Sequence, residues 1–197
     1  MIPLSVPNIC GNEWNYVKEC LDSEWVSSAG KFVDKFEDLV AKYVGCKFAI
    51  ACTNGTSALQ LSLRLLGVKS GAEVIVPSLT FIAPVNAIKY NNASPIFMDV
   101  DKFYNIDVTK TIEFIKEETY FKEGFTYNKK TNKRIAAIIP IHMWGNAADL
   151  EDLLFISKER NIPIVEDSSE SLGTFYKKEK HSGKHIGTIG NIGCLSF

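Results

Sequence analysis

The fold of this chain is decided by the stretch Pro163-Ile164-Val165-Glu166-Asp167-Ser168-Ser169-Glu170-Ser171-Leu172-Gly173. A short apolar run ends in two acids, and small hydroxyl residues and a glycine follow. This order is typical of a buried parallel strand that delivers a carboxylate to the carboxyl edge of a sheet, where open α/β sheets bind ligands. A carboxylate at that edge can pair with a cationic ring nitrogen of a bound cofactor. Taken alone, the pattern also fits an acid that binds a metal ion or caps the next helix.

The segments on either side alternate between strand and helix patterns. Two amphipathic helices open the chain: Trp14, Val17 and Leu21 recur at helical spacing, and a wider apolar stripe from residue 32 to 43 ends before Gly45. Helices are then predicted at 56–66, 81–90, 108–119 and 150–160, and strands at 48–52, 74–76, 96–98, 135–139, 164–165 and 192–197. The polar residues 118–134 fit an exposed hairpin or loop better than a substrate lid. Repeated alternation predicts an α/β fold with a mostly parallel sheet and helices on both faces.

The composition limits the classes of protein to consider. The chain has 197 residues and is 46% hydrophobic, which is enough to bury one substantial core, so we expect one domain. Its formal net charge is −1 and acids and bases are interspersed, so no basic face favours nucleic-acid binding. No apolar run is long enough to span a bilayer, and we expect a cytoplasmic protein with no membrane partner. The five cysteines lack CxxC spacing, which indicates reduced thiols.

A candidate anion site lies at Cys52-Thr53-Asn54-Gly55-Thr56-Ser57-Ala58-Leu59. A glycine permits a tight turn after the predicted strand, and the hydroxyl residues Thr56 and Ser57 open the next helix. Free N–H groups and the positive end of the helix dipole attract anions such as phosphate, and the hydroxyls can add donors. Ordinary helix capping also explains these residues and is the commoner reason for them. The segment is not a P-loop, and no GxGxxG follows the first strand, which argues against a nicotinamide-binding Rossmann enzyme.

Three further side chains are candidates for a ligand site. Phe81 follows a predicted strand and opens a helix, where an aromatic ring can stack on a flat cofactor; an ordinary core position explains it as well. His142 also follows a strand, and it either faces a ligand or satisfies a loop hydrogen bond. His181 and His185 are four residues apart, but Gly183 between them indicates a loop, so we predict no metal site.

In combination these segments resemble the DegT/DnrJ/EryC1/StrS family of sugar aminotransferases, which have the fold type I architecture and use pyridoxal 5'-phosphate (PLP). The resemblance covers the whole chain. Its markers are Asn54-Gly55-Thr56-Ser57-Ala58-Leu59, Pro77-x-x-Thr80-Phe81, Glu166-Asp167-x-x-Glu170-x-x-Gly173, and Gly187-Thr188-x-Gly190-Asn191-x-Gly193-Cys194-x-Ser196-Phe197. The opening Trp25-Val26-Ser27-Ser28-Ala29-Gly30-Lys31 is most similar to transaminases that make 4-amino-4,6-dideoxy-N-acetylhexosamines for bacillosamine or legionaminic acid.

The resemblance implies a role for each of five cofactor-binding residues. Asp167 pairs with the pyridinium nitrogen and keeps it protonated, so that the ring acts as an electron sink. Phe81 stacks on the ring. Thr56, Ser57 and Ser196 hold the phosphate.

Two further residues take less definite roles from the resemblance. Glu170 lies near the ring hydroxyl, where many relatives carry glutamine or histidine, and an acid beside a phenolate requires that one of them hold a proton. His142 lies in a segment that the family keeps near the site, which makes it a candidate substrate-binding residue.

The chain departs from the family at its end. Relatives continue past Ser-Phe to an asparagine and then to the lysine that forms the Schiff base, and this sequence stops at Phe197. We therefore expect residues 1–197 to be an incomplete PLP-binding large domain, with N-terminal helices in 1–45, an α/β cofactor-binding region in 46–197, and no C-terminal small domain. No catalytic lysine is expected within the chain, so the fragment itself is predicted to be inactive.

The resemblance also implies a reaction for the parent protein. We expect a homodimer that moves an amino group from glutamate to C4 of a UDP-linked 4-keto-6-deoxy-N-acetylhexosamine during surface-glycan synthesis. Two alternatives stay open at this stage. One is a pyridoxamine-phosphate-dependent nucleotide-sugar dehydratase of the same family, which carries histidine in place of the lysine. The other is a noncatalytic remnant that binds nucleotide sugar only.

Overall fold

The computed structural model describes residues 2–3, 6–177 and 179–197. Its α-helices are α1 (Glu13–Asp22), α2 (Lys31–Val44), α3 (Gly55–Leu65), α4 (Ile82–Tyr90), α5 (Val108–Glu117) and α6 (Glu151–Arg160). Its strands are β1 (Glu73–Pro77), β2 (Ser94–Met98), β3 (Thr119–Lys122), β4 (Phe125–Asn128), β5 (Ile135–Ile138), β6 (Val165–Asp167) and β7 (Ile192–Cys194). Strands and helices therefore alternate as the sequence predicted.

The strands other than β3 and β4 lie side by side and run parallel. β1 pairs with β2 on one side and with β5 on the other, and β6 pairs with β7. Single parallel bridges, Ile138 to Ile164 and Ile141 to Asp167, connect the β5 side to the β6 side. The resulting order is β2-β1-β5-β6-β7, and parallel pairing brings the carboxyl ends of all these strands to one edge.

The core lies on both faces of this sheet. Successive residues of β1 take part in different clusters: Val74 and Val76 pack with Leu63 and Ile88 of α3 and α4, whereas Ile75 packs on the other side. This alternation is the expected period of two for a strand. The second cluster includes side chains of α5 and α6, namely Ile115, Leu153 and Ile156. Helices thus cover both faces, which confirms the predicted architecture.

Two predicted strands are corrected by the structure. Residues 48–52 form no strand; their backbone pairs with no neighbouring strand, Phe48 and Ile50 are exposed, and the N–H of Ala51 instead donates to Glu37 at 2.7 Å. The last strand is also shorter than the predicted 192–197. It ends at Cys194, which pairs with the final residue of β6, Asp167, so no strand backbone remains beside residues 195–197. A strand requires a partner as well as an apolar pattern.

The polar segment 118–134 is an exposed hairpin, one of the two predicted forms. β3 and β4 pair antiparallel, and the rings of Tyr120 and Tyr127 stack with centroids 5.4 Å apart. The hairpin is attached to the sheet at its amino edge, because Asn128 Nδ2 donates to the buried carboxylate of Glu73 at 2.9 Å.

The N-terminal helices form as predicted, but their apolar stripes are not covered within the described residues. α1 has no buried residue, and Trp14, Val17 and Leu21 are exposed. In α2 only Val44 is buried, and the helix ends at Gly45, whose φ of 76° is left-handed and suits a glycine. Across the described part of the chain, every helix falls short of the length and hydrophobicity that crossing a membrane requires.

Candidate functional site

The carboxyl edge of the sheet collects the residues that the sequence singled out. β1 leads to Phe81, β5 to His142, and β7 to Ser196, while Asp167 is the last residue of β6. Parallel strands place these positions along one edge, beside the start of α3. This edge is where open α/β sheets bind ligands.

Asp167 is a buried carboxylate with one oxygen in use. Its side chain belongs to a residue that is only 6% exposed, and Oδ1 accepts from the Ser169 N–H at 3.1 Å and the Ser169 hydroxyl at 2.6 Å. No donor in the described chain reaches Oδ2. Burial raises the pKa of Asp167, and the hydrogen bonds from Ser169 only partly offset this. A cationic N–H placed at Oδ2 would relieve that desolvation.

The start of α3 provides a group of donors nearby. Asn54 caps the helix by accepting from the Ser57 N–H at 2.9 Å, and the N–H groups of Gly55 and Thr56 meet no acceptor within the described residues. A Cβ at Gly55 would lie 3.3 Å from the Ser196 Cβ and 3.4 Å from the Ser169 Oγ. We call the first turn of α3, residues 55–57, together with Ser169 and Ser196, the α3 cradle. Free helix N–H groups surrounded by hydroxyls form an anion site.

A second buried carboxylate, Glu166, lies beside the edge. Its Oε2 accepts from His142 Nε2 at 2.8 Å and from the Gly187 N–H at 2.9 Å. Its Oε1 accepts from the N–H groups of Ile189, at 2.7 Å, and Gly190. Burial alone would raise the pKa of Glu166, but the hydrogen bonds from His142, Gly190 and Gly187 together hold it below its usual value. Glu166 is thus a charged group whose oxygens are occupied by the protein.

Two further predicted residues lie at the surface of the same edge. Phe81 is 69% exposed and its ring pairs with no other aromatic ring in the described chain, so its face is open to a planar ligand. The neighbouring Thr80 Oγ1 is buried and has no hydrogen-bond partner among the described residues. Glu170 is exposed, and its Oε2 accepts from the Trp144 N–H at 2.9 Å, which leaves Oε1 free of protein donors.

The structure joins some of the predicted residues and separates others. Asp167 connects through Ser169 to the α3 cradle, which contains Thr56, Ser57 and Ser196. Phe81 and Glu170 lie at the same edge without bonding to this group. His142 is 1% exposed and both ring nitrogens have protein partners, so in this structure it satisfies loop hydrogen bonds and does not face a ligand.

Sequence reasoning missed two residues of this site. Ser169 binds Asp167 and touches the cradle; a hydroxyl two residues after an aspartate is a recognisable turn signal that could have indicated it. Glu166 had a signal too, because an acid inside an apolar strand requires buried donors.

Comparison with known proteins matches this chain over almost its whole length. The pattern of the DegT/DnrJ/EryC1/StrS aminotransferase family matches residues 7–197. A GDP-perosamine synthase of Escherichia coli O157:H7 is 40% identical over 196 residues, which cover 100% of this chain and 48% of that protein. A UDP-2-acetamido-2-deoxy-3-oxo-D-glucuronate aminotransferase of Pseudomonas aeruginosa is 33% identical over 169 residues, covering 85% of this chain and 41% of that protein.

Solved structures agree with the sequence relatives. The PLP form of the putative sugar aminotransferase Spr1654 from Streptococcus pneumoniae superposes with a TM-score of 0.82 at 27% identity, covering 100% of this chain and 48% of that one. An aminotransferase from Psychrobacter cryohalolentis gives a TM-score of 0.81 at 30% identity, covering 99% and 45%. The fold is that of PLP-dependent transferases, as predicted. The chain spans about half the length of the curated relatives it matches.

The residues present fit PLP, which is the cofactor of the matched family. Two groups on this cofactor need partners: an anionic phosphate, and a ring nitrogen that carries a proton when a carboxylate faces it. The α3 cradle offers free N–H donors and hydroxyls to an anion, and Asp167 offers a buried oxygen without a donor. Both partners lie at one edge of the sheet and are connected through Ser169.

Proposed function

This chain belongs to the DegT/DnrJ/EryC1/StrS aminotransferase family, and we propose that it forms the cofactor-binding part of a PLP-dependent nucleotide-sugar aminotransferase. One observation carries the proposal: Asp167, with a buried oxygen that lacks a donor, is joined through Ser169 to a helix start whose N–H groups lack acceptors. A carboxylate and an anion site in such proximity complement a single ligand that has a cationic and an anionic end.

The proposed roles divide the cofactor between two groups of residues. Thr56, Ser57 and Ser196 hold the phosphate at the start of α3, where the helix dipole adds to the attraction. Asp167 holds a proton on the ring nitrogen, and Ser169 fixes the carboxylate so that Oδ2 faces it. When bound, the cofactor supplies an electron sink for the carbon that gains or loses the amino group.

Two exposed side chains complete the proposed site. Phe81 presents an open ring face on which the cofactor ring stacks, a contact that contributes about 1 kcal/mol. Glu170 lies beside the ring hydroxyl, and it shares one proton with that group because two adjacent anions would repel each other. The Trp144 N–H holds one Glu170 oxygen and leaves the other for this contact.

For substrates we propose glutamate as amino donor and C4 of a UDP-linked 4-keto-6-deoxy-N-acetylhexosamine as acceptor, in a homodimer in the cytoplasm. The aminotransferase from Pseudomonas aeruginosa, named for a UDP-linked acetamido sugar, supports this choice. A GDP-linked 4-keto-6-deoxyhexose is the second candidate acceptor. It is favoured because three relatives at 40%, 38% and 35% identity are GDP-perosamine synthases.

The test has two stages that address cofactor and substrate separately. PLP is first titrated into the purified protein and followed by its absorbance, with Asp167→Asn as the matched variant. Saturable binding that this variant weakens supports the cofactor site, and equal binding by both proteins contradicts it. The full-length protein is then supplied with glutamate and each 4-ketosugar, and amino-sugar product is measured by mass spectrometry. Product from the GDP-linked sugar alone would overturn the proposed UDP acceptor.

A further inference from the structure

The Glu166 carboxylate connects three neighbouring strand ends by itself. It extends from β6 and accepts from His142, which follows β5, at 2.8 Å. It also accepts from three N–H groups of the loop 187–190, which leads into β7. Both side chains of the Glu166–His142 pair are 0% exposed. Four donors on one buried carboxylate form a rigid connection, because releasing any of them would leave a buried polar group without a partner.

The hydrogen bonds of His142 settle its tautomer. Nδ1 accepts from the Ala148 N–H at 3.0 Å, so this nitrogen carries a lone pair. The ring proton therefore lies on Nε2, which donates to Glu166. An amide at position 166 could not replace the carboxylate, since its NH₂ group would face N–H donors at whichever end it lay.

The loop that Glu166 holds is packed directly against β7. A Cβ at Gly193 would lie only 1.9 Å from the carbonyl oxygen of Gly187, so the backbones of the loop and the strand touch at this point. Cys194 then pairs with Asp167. Ser196, two residues later, lies against Gly55 in the α3 cradle. A continuous series of contacts thus leads from Glu166 to the cradle through the loop 187–190 and β7.

We propose that Glu166 is a positioning residue for the phosphate of the cofactor: it fixes the loop 187–190, and through β7 it fixes Ser196 in the α3 cradle. Glu166 makes no contact with the cradle itself. This inference rests on the proposed cofactor function. It separates two neighbouring acids by role, since Asp167 serves the ring nitrogen and Glu166 serves the opposite end of the same molecule.

The test compares two ligands that differ only by the phosphate. PLP and pyridoxal are titrated into the wild-type protein, Glu166→Gln and the control Glu73→Gln, which alters a buried glutamate at the far edge of the sheet. Glu166→Gln should weaken PLP binding about tenfold and pyridoxal binding less than about threefold, because it loses hydrogen bonds that hold the loop. Glu73→Gln should leave both affinities unchanged. Equal weakening of both ligands by Glu166→Gln would overturn the proposal.

A double-mutant cycle tests the path. If Glu166 acts through Ser196, Glu166→Gln should weaken PLP binding less than about twofold further in a Ser196→Ala background. Full additivity would contradict this path. Should Glu166→Gln fail to fold, Gly187→Ala replaces it: φ is +90° there and a Cβ would lie 2.7 Å from the Ser168 Oγ, so the loop must shift. The same loss selective for PLP is expected, and an unselective loss counts against the proposal.

The proposed function and this inference fail in different ways. A wild-type protein that binds neither PLP nor pyridoxal would refute the cofactor function, and the inference with it. A wild-type protein that binds PLP through the phosphate, while Glu166→Gln binds it equally well, would refute the positioning role alone.

Discussion

The two edges of the parallel sheet treat buried carboxylates differently. At the amino edge, Glu73 begins β1 and receives a hydrogen bond from Asn128 of the hairpin. At the carboxyl edge, Asp167 ends β6 with Oδ2 free of donors, and the N–H groups of Gly55 and Thr56 at the start of α3 lack acceptors within the described chain. A buried polar group without a partner costs free energy. The contrast indicates that one edge contributes to the fold alone and the other is completed by a ligand.

The largest expected effect is on cofactor binding at the carboxyl edge. Asp167→Asn should weaken PLP binding by roughly 100-fold or more, because removing one partner of a buried charge pair costs about 3–5 kcal/mol. Isothermal titration calorimetry on the variant and the wild-type protein measures this. The control is Glu73→Gln, which alters the buried acid of the amino edge and should bind PLP as the wild type does. Equal affinity of Asp167→Asn and wild type would remove the distinction between the edges.

The next effect is on stability at the amino edge. Asn128→Ala should lower the free energy of unfolding by about 1–3 kcal/mol, because it leaves the buried Glu73 carboxylate without its donor. Urea denaturation followed by circular dichroism gives the value, with the exposed Lys130→Ala as a neutral control in the same hairpin. PLP affinity should not change. A loss of PLP affinity would show that the hairpin contributes to the site and that the two edges are not independent.

A smaller effect concerns the pH dependence of stability without ligand. The pKa of Asp167 is raised above its ordinary value of 3.8 by burial, so the folded chain retains this proton when the unfolded chain releases it. The free energy of unfolding therefore falls as pH rises past that value. Asp167→Asn removes this loss, and the variant should be more stable than the wild type at neutral pH, with the difference vanishing near about pH 3.

Thermal melts of both proteins between acid and neutral pH check this prediction. His142 and Glu170 are the other charged groups that act on Asp167, with opposite signs, and both remain in the variant. Added PLP should reverse the order of stability, since it binds the wild type only. A variant less stable than the wild type at neutral pH would mean that the free carboxylate stabilises the fold.

The smallest effect is expected at Gly55, where binding and stability should change in opposite directions. A Cβ there would crowd Ser196 and Ser169 at 3.3 and 3.4 Å, so Gly55→Ala should weaken PLP binding about threefold. It should also raise the free energy of unfolding by about 0.5 kcal/mol, because the unfolded chain loses freedom and the helical backbone accepts alanine. PLP titration and urea denaturation of one preparation measure both quantities. Unchanged affinity would show that the α3 cradle does not contact the ligand.

Much of the sheet was predictable because local patterns agree with the tertiary arrangement. The apolar runs of β1 and β5 are buried throughout, and strands buried on both faces require such runs. Residues 48–52 show where this reasoning fails. Their apolar pattern is as good as that of β2, yet no strand lies beside them, and hydrogen bonding to a neighbour is not encoded in the segment itself.

The site was predictable where one residue type has one use. Asp167 after an apolar strand and hydroxyls at a helix start carry their chemistry in the sequence. The role of Glu166 was not predictable, because its donors come from residue 142 and from the loop 187–190, which the strand order alone brings together. His142 was assigned to substrate for the same reason: the sequence cannot indicate that a buried acid occupies its ring.

The sequence by itself determined the alternation of strands and helices, the capped start of α3 and the identity of the acids after β6. These features depend on side chains within one or two turns of each other. The tertiary structure decided which acid keeps a free oxygen and which is saturated, although the two are adjacent in the chain. Successive residues of a strand point to opposite faces, so Glu166 meets the loop before β7 whereas Asp167 meets Ser169 and the side that bears the α3 cradle.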